Sequence, residues 1–344
     1  MRRRLATSVR IATLGIAQHH TFTNMRLLAT TLSLAAARAA DSPSELARAL
    51  IPPAPVAKSD GEFEEAEFYQ RHGELLRAAW REHGLADASL ADFRSAAVVA
   101  PALADAVNAL REQPSPEREA DVRALFNETA PGVFCGQLLK ADAIAGLRAE
   151  LARVAASGIP TRRPNGMNRY GVILDDEVDG AVSNGLASFV RAMVDAYVRP
   201  LGRMLFAELV GAGDDAEYFA FTVRYRPDED ATLAEHRDAS VVTLNLNLNA
   251  PGEGYGGSAL AFQDAREPSA SHTVEFTPGM ALIHQGALRH AALPIEHGAR
   301  ENLIVWLFGA DGYVRAAPRP EAERLSLEER WGLPRHGSFL HPEL

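Results

Sequence analysis

The chain has 344 residues, 47% of them hydrophobic and 23% charged, with a formal net charge of −10 from 45 acidic and 35 basic residues. That length allows one large domain with extras or two domains, and the apolar fraction supports an ordinary buried core. The acidic balance argues against a broad nucleic-acid surface, whose affinity comes from neutralised phosphates; the single cysteine, Cys135, excludes intrachain disulfides and a cysteine-based zinc site.

Residues 1–40 hold six arginines and no acidic residue, and "MRLLATTLSLAAARAA" from Met25 has a basic start, an apolar centre and a small-x-small site at Ala37-Arg38-Ala39. They are expected to be a targeting or disordered segment, for the secretory route and endoplasmic reticulum or for an organelle. No apolar run in the chain is long enough for a transmembrane helix. From Asp41 to residue 130 the pattern is Ala-rich, charged and helical, broken at "IPPAP" and "EQPSPE". Asn127-Glu128-Thr129 is an N-glycosylation pattern that matters only on a secretory route. The main domain is expected over 131–317, with a tail over 318–344. Asp142 is the expected N-cap of a helix in which Ile144, Leu147, Leu151 and Val154 recur at helical spacing, closed by Gly158 and Pro160. A second helical stretch over Leu186–Tyr197 is expected to break at Pro200 and resume through Met204 and Leu209.

After Gly213 the period changes to two. In "YFAFTVRY", Phe219, Phe221, Val223 and Tyr225 share one face; in "VTLNLNLN", Leu244, Leu246 and Leu248 oppose Thr243, Asn245 and Asn247. Further strands fit "SALAF", "HTVEF", "MALIH" and "ENLIVWLF", with "GEGYGG", "REPSAS", "PG" and "IEHG" read as turns. The expected fold is mainly β with flanking helices: a jelly-roll or double-stranded β-helix barrel with an N-terminal helical layer.

His236 and Asp238, one residue apart on a strand, can point at one ion, and a pair of this kind alone is weak. Downstream stand His284, His290, His297 and Arg300. Two histidines and a carboxylate with open positions suit non-haem iron, and His290, 54 residues beyond His236, can complete such a set if both strands line one barrel. His284 and His297 read as structural or exposed. "LPIEHGA" reads as a turn, which would set the strand of Arg300 antiparallel to that of His290. A guanidinium there can hold a carboxylate bidentately, and Tyr225 can donate a hydroxyl to the same group. The face of Thr243, Asn245 and Asn247 lines that pocket or meets solvent.

The segments "FTVRYRPDEDATLAEHRDASVVTLNLNLN", "YGGSALAF" and "GMALIHQGALRHAALPIEHGARENLIVWL" resemble Fe(II)/2-oxoglutarate-dependent dioxygenases of the prolyl and lysyl hydroxylase type. "HRDAS" with "TLNLNLN" is similar to the procollagen lysyl hydroxylases, and "RRPNGMNRYGVIL" with "IVWL" looks closer still to the 2-oxoglutarate and iron-dependent oxygenase domain-containing protein 2 family. The likeness spans roughly residues 131–310. It implies His236, Asp238 and His290 as iron ligands, Arg300 as the basic anchor of 2-oxoglutarate, and Tyr225 and Asn245 as lining of the cosubstrate pocket. Ascorbate follows as reductant by family analogy. Asn302 departs from the pattern, since many relatives carry a small hydroxyl residue there. The implied activity is hydroxylation of an unactivated C–H bond, in a Pro or Lys side chain of a protein or peptide. The alternatives are a small-molecule oxygenase and a non-catalytic jelly-roll binding module; the intact four-residue set counts against the last. Substrate choice would lie in "RRPNGMNRYG" and "APGEGYGG".

Overall fold

The computed structural model describes residues 41–51, 62–93, 97–164, 167–176, 186–211, 217–264, 270–308, 317–321 and 324–332. Residues 1–40, for which a targeting or disordered segment is expected, most of "IPPAP" and the end of the tail lie outside the described residues. Among the described residues no helix is long and apolar enough to cross a membrane.

The N-terminal part is helical: α1 (Pro43–Leu50), α2 (Glu62–Glu82), α3 (Pro101–Glu112) and α4 (Pro116–Arg123). Ser42 and Ser115 cap α1 and α4 through their side chains, each followed by a proline whose missing N–H costs nothing in the first turn. Strands β1 (Asn127–Ala130) and β2 (Val133–Gln137) form a hairpin, so a division after residue 130 separates two paired strands.

Helix α5 (Ala141–Ala156) starts at Lys140, without a side-chain cap, not at Asp142. The isolated bridge Val99–Leu139 and the hydrogen bond from Lys140 N to Val98 O set the entry point, and they override the better capping residue. Asp142 lies in the first turn instead, where a negative charge favours the helix N-terminus.

Strand β3 (Ile173–Asp176) precedes α6 (Ala187–Met193), a π-helical turn (Val194–Val198) and α7 (Arg199–Leu205), which run on without the expected break. A proline inside an α-helix loses one hydrogen bond and crowds the carbonyl four residues back. The wide turn directly ahead of Pro200 lets the chain pass it.

The remaining strands are β4 (Glu217–Tyr225), β5 (Leu233–His236), β6 (Val242–Asn247), β7 (Gly256–Gly257), β8 (Leu260–Gln263), β9 (Ser271–Val274), β10 (Met280–Gln285), β11 (His290–Ala292), β12 (Ile295–His297) and β13 (Arg300–Phe308), followed by α8 (Leu327–Trp331). They form a seven-stranded sheet, β1-β2-β10-β6-β13-β4-β3, and a four-stranded sheet, β5-β11-β8-β9, with antiparallel pairing throughout. This is the double-stranded β-helix expected from the alternating patterns.

The large sheet is buried on both faces, which is why β6 has no exposed residue. Leu244, Leu246, Ile283, Leu303 and Val305 join Trp80, Leu147, Val190 and Met193 of the helices in one apolar core. Each such side chain contributes about 1.5–3 kcal/mol on full burial. The other face turns inward, where Phe221, Val223, Leu282 and Ile304 meet Leu260, Phe262 and Val274 of the small sheet. Between these inner faces, at one end, polar side chains replace apolar ones.

Two expectations change here. "IEHG" supplies a third short pairing, β12 with β7, not a turn alone. Gly257 adopts φ +73°, and a Cβ on it would come within 2.3 Å of Pro294 O. The strand of Arg300 also does not pair with that of His290: β13 lies between β4 and β6 in the large sheet, whereas β11 lies in the small one. The connection through β12 is a crossover between walls, so His290 and Arg300 approach the interior from opposite sides.

A candidate metal centre beside a buried arginine

Register places the polar groups. In the small sheet His290 pairs directly with His236; in the large sheet Arg300 pairs with Tyr225, and His284 with Thr243. Strand β5 ends at His236, so Asp238 is not on the strand as expected. It lies in the following loop, where its N–H donates to Gly286 O at 3.0 Å. That approach needs glycine: a Cβ at position 286 would fall 2.1 Å from Ser240 O.

His236, Asp238 and His290 each offer one ligand atom, and these atoms lie within 4.8 Å of one another. Asp238 Oδ1 is 3.4 Å from His236 Nε2 and 3.8 Å from His290 Nε2. Backbone carbonyls fix both tautomers. His236 Nδ1 is 2.9 Å from Ala234 O and His290 Nδ1 is 3.0 Å from Leu288 O. A carbonyl can only accept, so each Nδ1 carries its proton and each Nε2 keeps a lone pair facing the shared centre. Asp238 Oδ2 accepts from Thr243 Oγ1 at 2.6 Å, and Ser240 Oγ lies 2.7 Å behind that hydroxyl, which leaves Oδ1 for the centre.

Burial alone would raise the Asp238 carboxyl, but the contact with His236, the neighbouring His290 and His284 and the Thr243 hydroxyl together hold it well below the usual carboxylate range. Burial pulls His290 below the usual imidazole range, favouring the neutral form that binds metal. Burial also acts downward on His236, but Asp238 and the Ala234 carbonyl outweigh it and raise that imidazole, so a metal ion would displace a proton there. Two imidazoles and a carboxylate around one point, with positions left over, fit a divalent transition metal.

His284 is not a member of this group. It is fully buried on β10, edge-on to His290 with ring centroids 4.7 Å apart, and its Nε2 is 3.6 Å from Asp238 Oδ2, on the side held by Thr243. It walls the centre, a structural role. His297 is exposed on β12.

Across the cavity Arg300 is 1% exposed. Its Nε donates to Ser258 Oγ at 2.9 Å, while Nη1 and Nη2 have no hydrogen-bond partner among the described residues. The guanidinium carbon lies 4.5 Å from the Tyr225 ring centroid and 5.2 Å from that of Phe276. Burial lowers its affinity for its proton, which the Tyr225 and Tyr255 hydroxyls partly offset. A buried cation with two idle donors is costly unless an anion arrives, so the arrangement fits a carboxylate held bidentately. Tyr225 OH accepts from Asn168 Nδ2 at 3.2 Å. Asn245 lines the same cavity as the metal centre and Arg300, and its face does not meet solvent.

Thus the fold brings together all six residues singled out from the sequence. It adds Ser258 and Phe276 around Arg300, Asn168 on Tyr225, and Thr243 behind Asp238. Asn168 and Ser258 both lie inside segments already marked by their resemblance, "RRPNGMNRYGVIL" and "YGGSALAF", but neither was singled out; Ser258 has a backbone φ of +59°.

A double-stranded β-helix with two histidines, an aspartate and a buried arginine between its sheets frames a site for a divalent metal ion beside an anion. Residues 86–211 match the OGFOD2-like domain family, and the chain is similar to the 2-oxoglutarate and iron-dependent oxygenase domain-containing proteins. It is 34% identical over 197 residues to 2-oxoglutarate and iron-dependent oxygenase domain-containing protein 2 of Danio rerio, covering 55% of this chain and 54% of that one. To the protein CP2 of that series in Arabidopsis thaliana it is 31% identical over 201 residues, covering 55% and 48%. To procollagen-lysine,2-oxoglutarate 5-dioxygenase 1 of Rattus norvegicus it is 37% identical over 111 residues, 30% of this chain and 14% of that one. The chain spans about half the length of the first two relatives. The family segment ends before Tyr225: it covers part of the helical layer, β1 to β3 and α5 to α7, and none of the six site residues.

Proposed function

We propose that the protein is an Fe(II)- and 2-oxoglutarate-dependent dioxygenase that hydroxylates an unactivated C–H bond, in a Pro or Lys side chain of a protein or peptide. The observation that carries the proposal is the convergence of His236, Asp238 and His290 within 4.8 Å, facing a buried Arg300 whose two terminal nitrogens have no partner among the described residues. The names of the relatives supply the cosubstrate, and the likeness to the procollagen-lysine enzyme supports a side chain in a polypeptide as substrate.

When bound, iron and 2-oxoglutarate supply the oxidation, with decarboxylation to succinate and carbon dioxide. The chain's residues supply place and charge. His236 and His290 present Nε2 because Ala234 O and Leu288 O hold their other nitrogens. Asp238 is kept ionised and aimed by Thr243. Arg300 holds the far carboxylate of the cosubstrate, and the aromatic rings beside it keep water out. Phe221 and Trp306, with ring centroids 5.2 Å apart, form part of an apolar wall to the cavity, and Phe219 packs against both rings. Ascorbate remains an analogy from the family.

The test is an anaerobic titration of the full chain with Fe(II) and 2-oxoglutarate, beside the Asp238→Ala protein. A visible charge-transfer band that saturates in the parent and fails in the variant supports the proposal. Its absence from folded parent protein refutes it. Incubation with Pro- and Lys-containing peptides, read as a mass gain of one oxygen, then tests the substrate class.

A further inference from the structure

We infer that Asn302 is a positioning residue that dictates which end of the Asn245 amide faces the cosubstrate pocket; this rests on the reading of the site just given. A side-chain amide has one end that only donates and one that only accepts, so its direction follows from its neighbours. Four asparagines on β6, β13 and the loop after β6 form a continuous row that starts on backbone atoms.

Asn249 anchors the row. Its Nδ2 donates to Ala299 O at 2.7 Å and, more distantly, to Glu253 Oε2 at 3.5 Å, while its Oδ1 accepts from Glu301 N at 3.1 Å. A carbonyl cannot donate and a backbone N–H cannot accept, so Asn249 has one possible direction. Asn247 Nδ2 then donates to Asn249 Oδ1 at 3.0 Å, and Asn247 Oδ1 accepts from Asn249 N at 3.2 Å, fixing Asn247 in turn. The same Asn247 Nδ2 donates to Asn302 Oδ1 at 3.2 Å. Asn302 therefore turns its own Nδ2 toward Asn245 Oδ1 and donates to it. The end of Asn245 left for the cavity is Nδ2, a donor, which has no partner among the described residues.

The direction matters because the expected ligand is an anion. With Nδ2 inward, Asn245 offers a hydrogen bond to a carboxylate or keto oxygen; reversed, it would set an oxygen against that charge. Asn302 and Asn247 are 0% and 1% exposed, so water does not compete for their amides. A hydroxyl at position 302, the residue type that the related pattern places there, can rotate to donate or accept and would not impose one direction. The asparagine transmits the polarity of Ala299 O and Glu301 N across the sheet to the pocket, and Asn302 acts only through Asn245.

Calorimetric titration of 2-oxoglutarate into the Mn(II)-loaded full chain tests this in the parent, Asn302→Leu, Asn245→Leu and the double variant. Each single variant is expected to weaken 2-oxoglutarate about tenfold, as for loss of one hydrogen bond to a charged group, with Mn(II) affinity unchanged. The double variant is expected to lose about the same tenfold, because residues acting as a unit are not additive. Unchanged 2-oxoglutarate affinity in folded Asn302→Leu, or losses that multiply in the double variant, would overturn the inference. If Asn302→Leu fails to fold, Asn302→Ala, which likewise offers Asn245 no donor, carries the same cycle with the same two outcomes. Failure of the parent itself to bind 2-oxoglutarate overturns the functional reading, and this inference with it.

Discussion

Replacing Arg300 by methionine, a side chain of similar length without charge, is expected to change stability and ligand binding in opposite directions. In the unliganded protein two charged nitrogens are shut away without acceptors, at about 1–3 kcal/mol each. Against this stand one hydrogen bond to Ser258, about 1 kcal/mol, and the ring contacts with Tyr225 and Phe276, about 1 kcal/mol. Arg300→Met should therefore make the metal-free protein no less stable, and by up to about 4 kcal/mol more stable. The same change removes a bidentate, desolvated charge pair from the 2-oxoglutarate complex, at about 3–5 kcal/mol, or a loss of affinity of two to three orders of magnitude. Urea denaturation of the metal-free proteins measures the first quantity, read from the midpoint at constant slope. Repeating it with Mn(II) and saturating 2-oxoglutarate measures the second, since only a protein that binds the ligand gains stability from it. An Arg300→Met protein that is less stable than the parent at unchanged slope, or that gains as much stability from 2-oxoglutarate, would show that Arg300 holds the fold and not a ligand.

Asp238→Ala and His236→Ala should each abolish iron-dependent turnover while leaving far-ultraviolet circular dichroism unchanged; full activity in either would remove that residue from the centre. Thr243→Val takes away the hydroxyl that aims Asp238, and Mn(II) affinity by calorimetry should fall about 10- to 100-fold. Gly286→Ala should lower the urea midpoint and weaken Mn(II), because its Cβ would displace the Ser240 carbonyl beside Asp238; normal metal affinity would dissociate that contact from the site. For pH, burial and then the neighbouring His290 hold His284 down at about 4, against 6.5 in the unfolded chain. Between those values the unfolded state binds the extra proton, so stability is full above about 6.5 and declines as the pH falls toward about 4. The metal-free protein should lose about 2 kcal/mol from this group between pH 7.5 and 5, and the decline should flatten in His284→Met. Burial displaces His290 in the same direction, adding to the decline, whereas the raised His236 opposes it.

The sequence made the chemistry more legible than the geometry. His236, Asp238, His290 and Arg300 were readable because their combination at that spacing has little bland use, though each alone has one, and because alternation marks which residues share a face. The pairing of walls was not readable. A hairpin and a crossover both look like two apolar runs around "LPIEHGA", so the antiparallel neighbour of Arg300's strand was assigned to β11 when it is β4 and β6. The Asn face of β6 left two readings open, since alternation looks the same whether the polar side meets water or a cavity. Lys140 displaced Asp142 as helix start because backbone contacts with Val98 and Val99 set the entry, and a local π turn carried the chain past Pro200. The carbonyls of Ala234 and Leu288 that orient the histidines belong to the backbone, and no side-chain pattern announces them.

The common apolar core between the helical layer and the outer face of the large sheet governs how the protein can be cut. A fragment beginning near residue 131 would keep all six site residues and helices α5 to α7, yet it would strip α1 to α4, and with them Trp80, from the apolar core that covers Leu244, Leu246, Ile283, Leu303 and Val305. It would also turn β2 into a raw sheet edge by deleting β1. Such a fragment carries a complete centre on a surface that invites self-association. The minimal well-behaved unit is set by helices that contribute no residue to the site, and a proteolytic nick among them should be felt as precipitation before it is felt as lost metal binding.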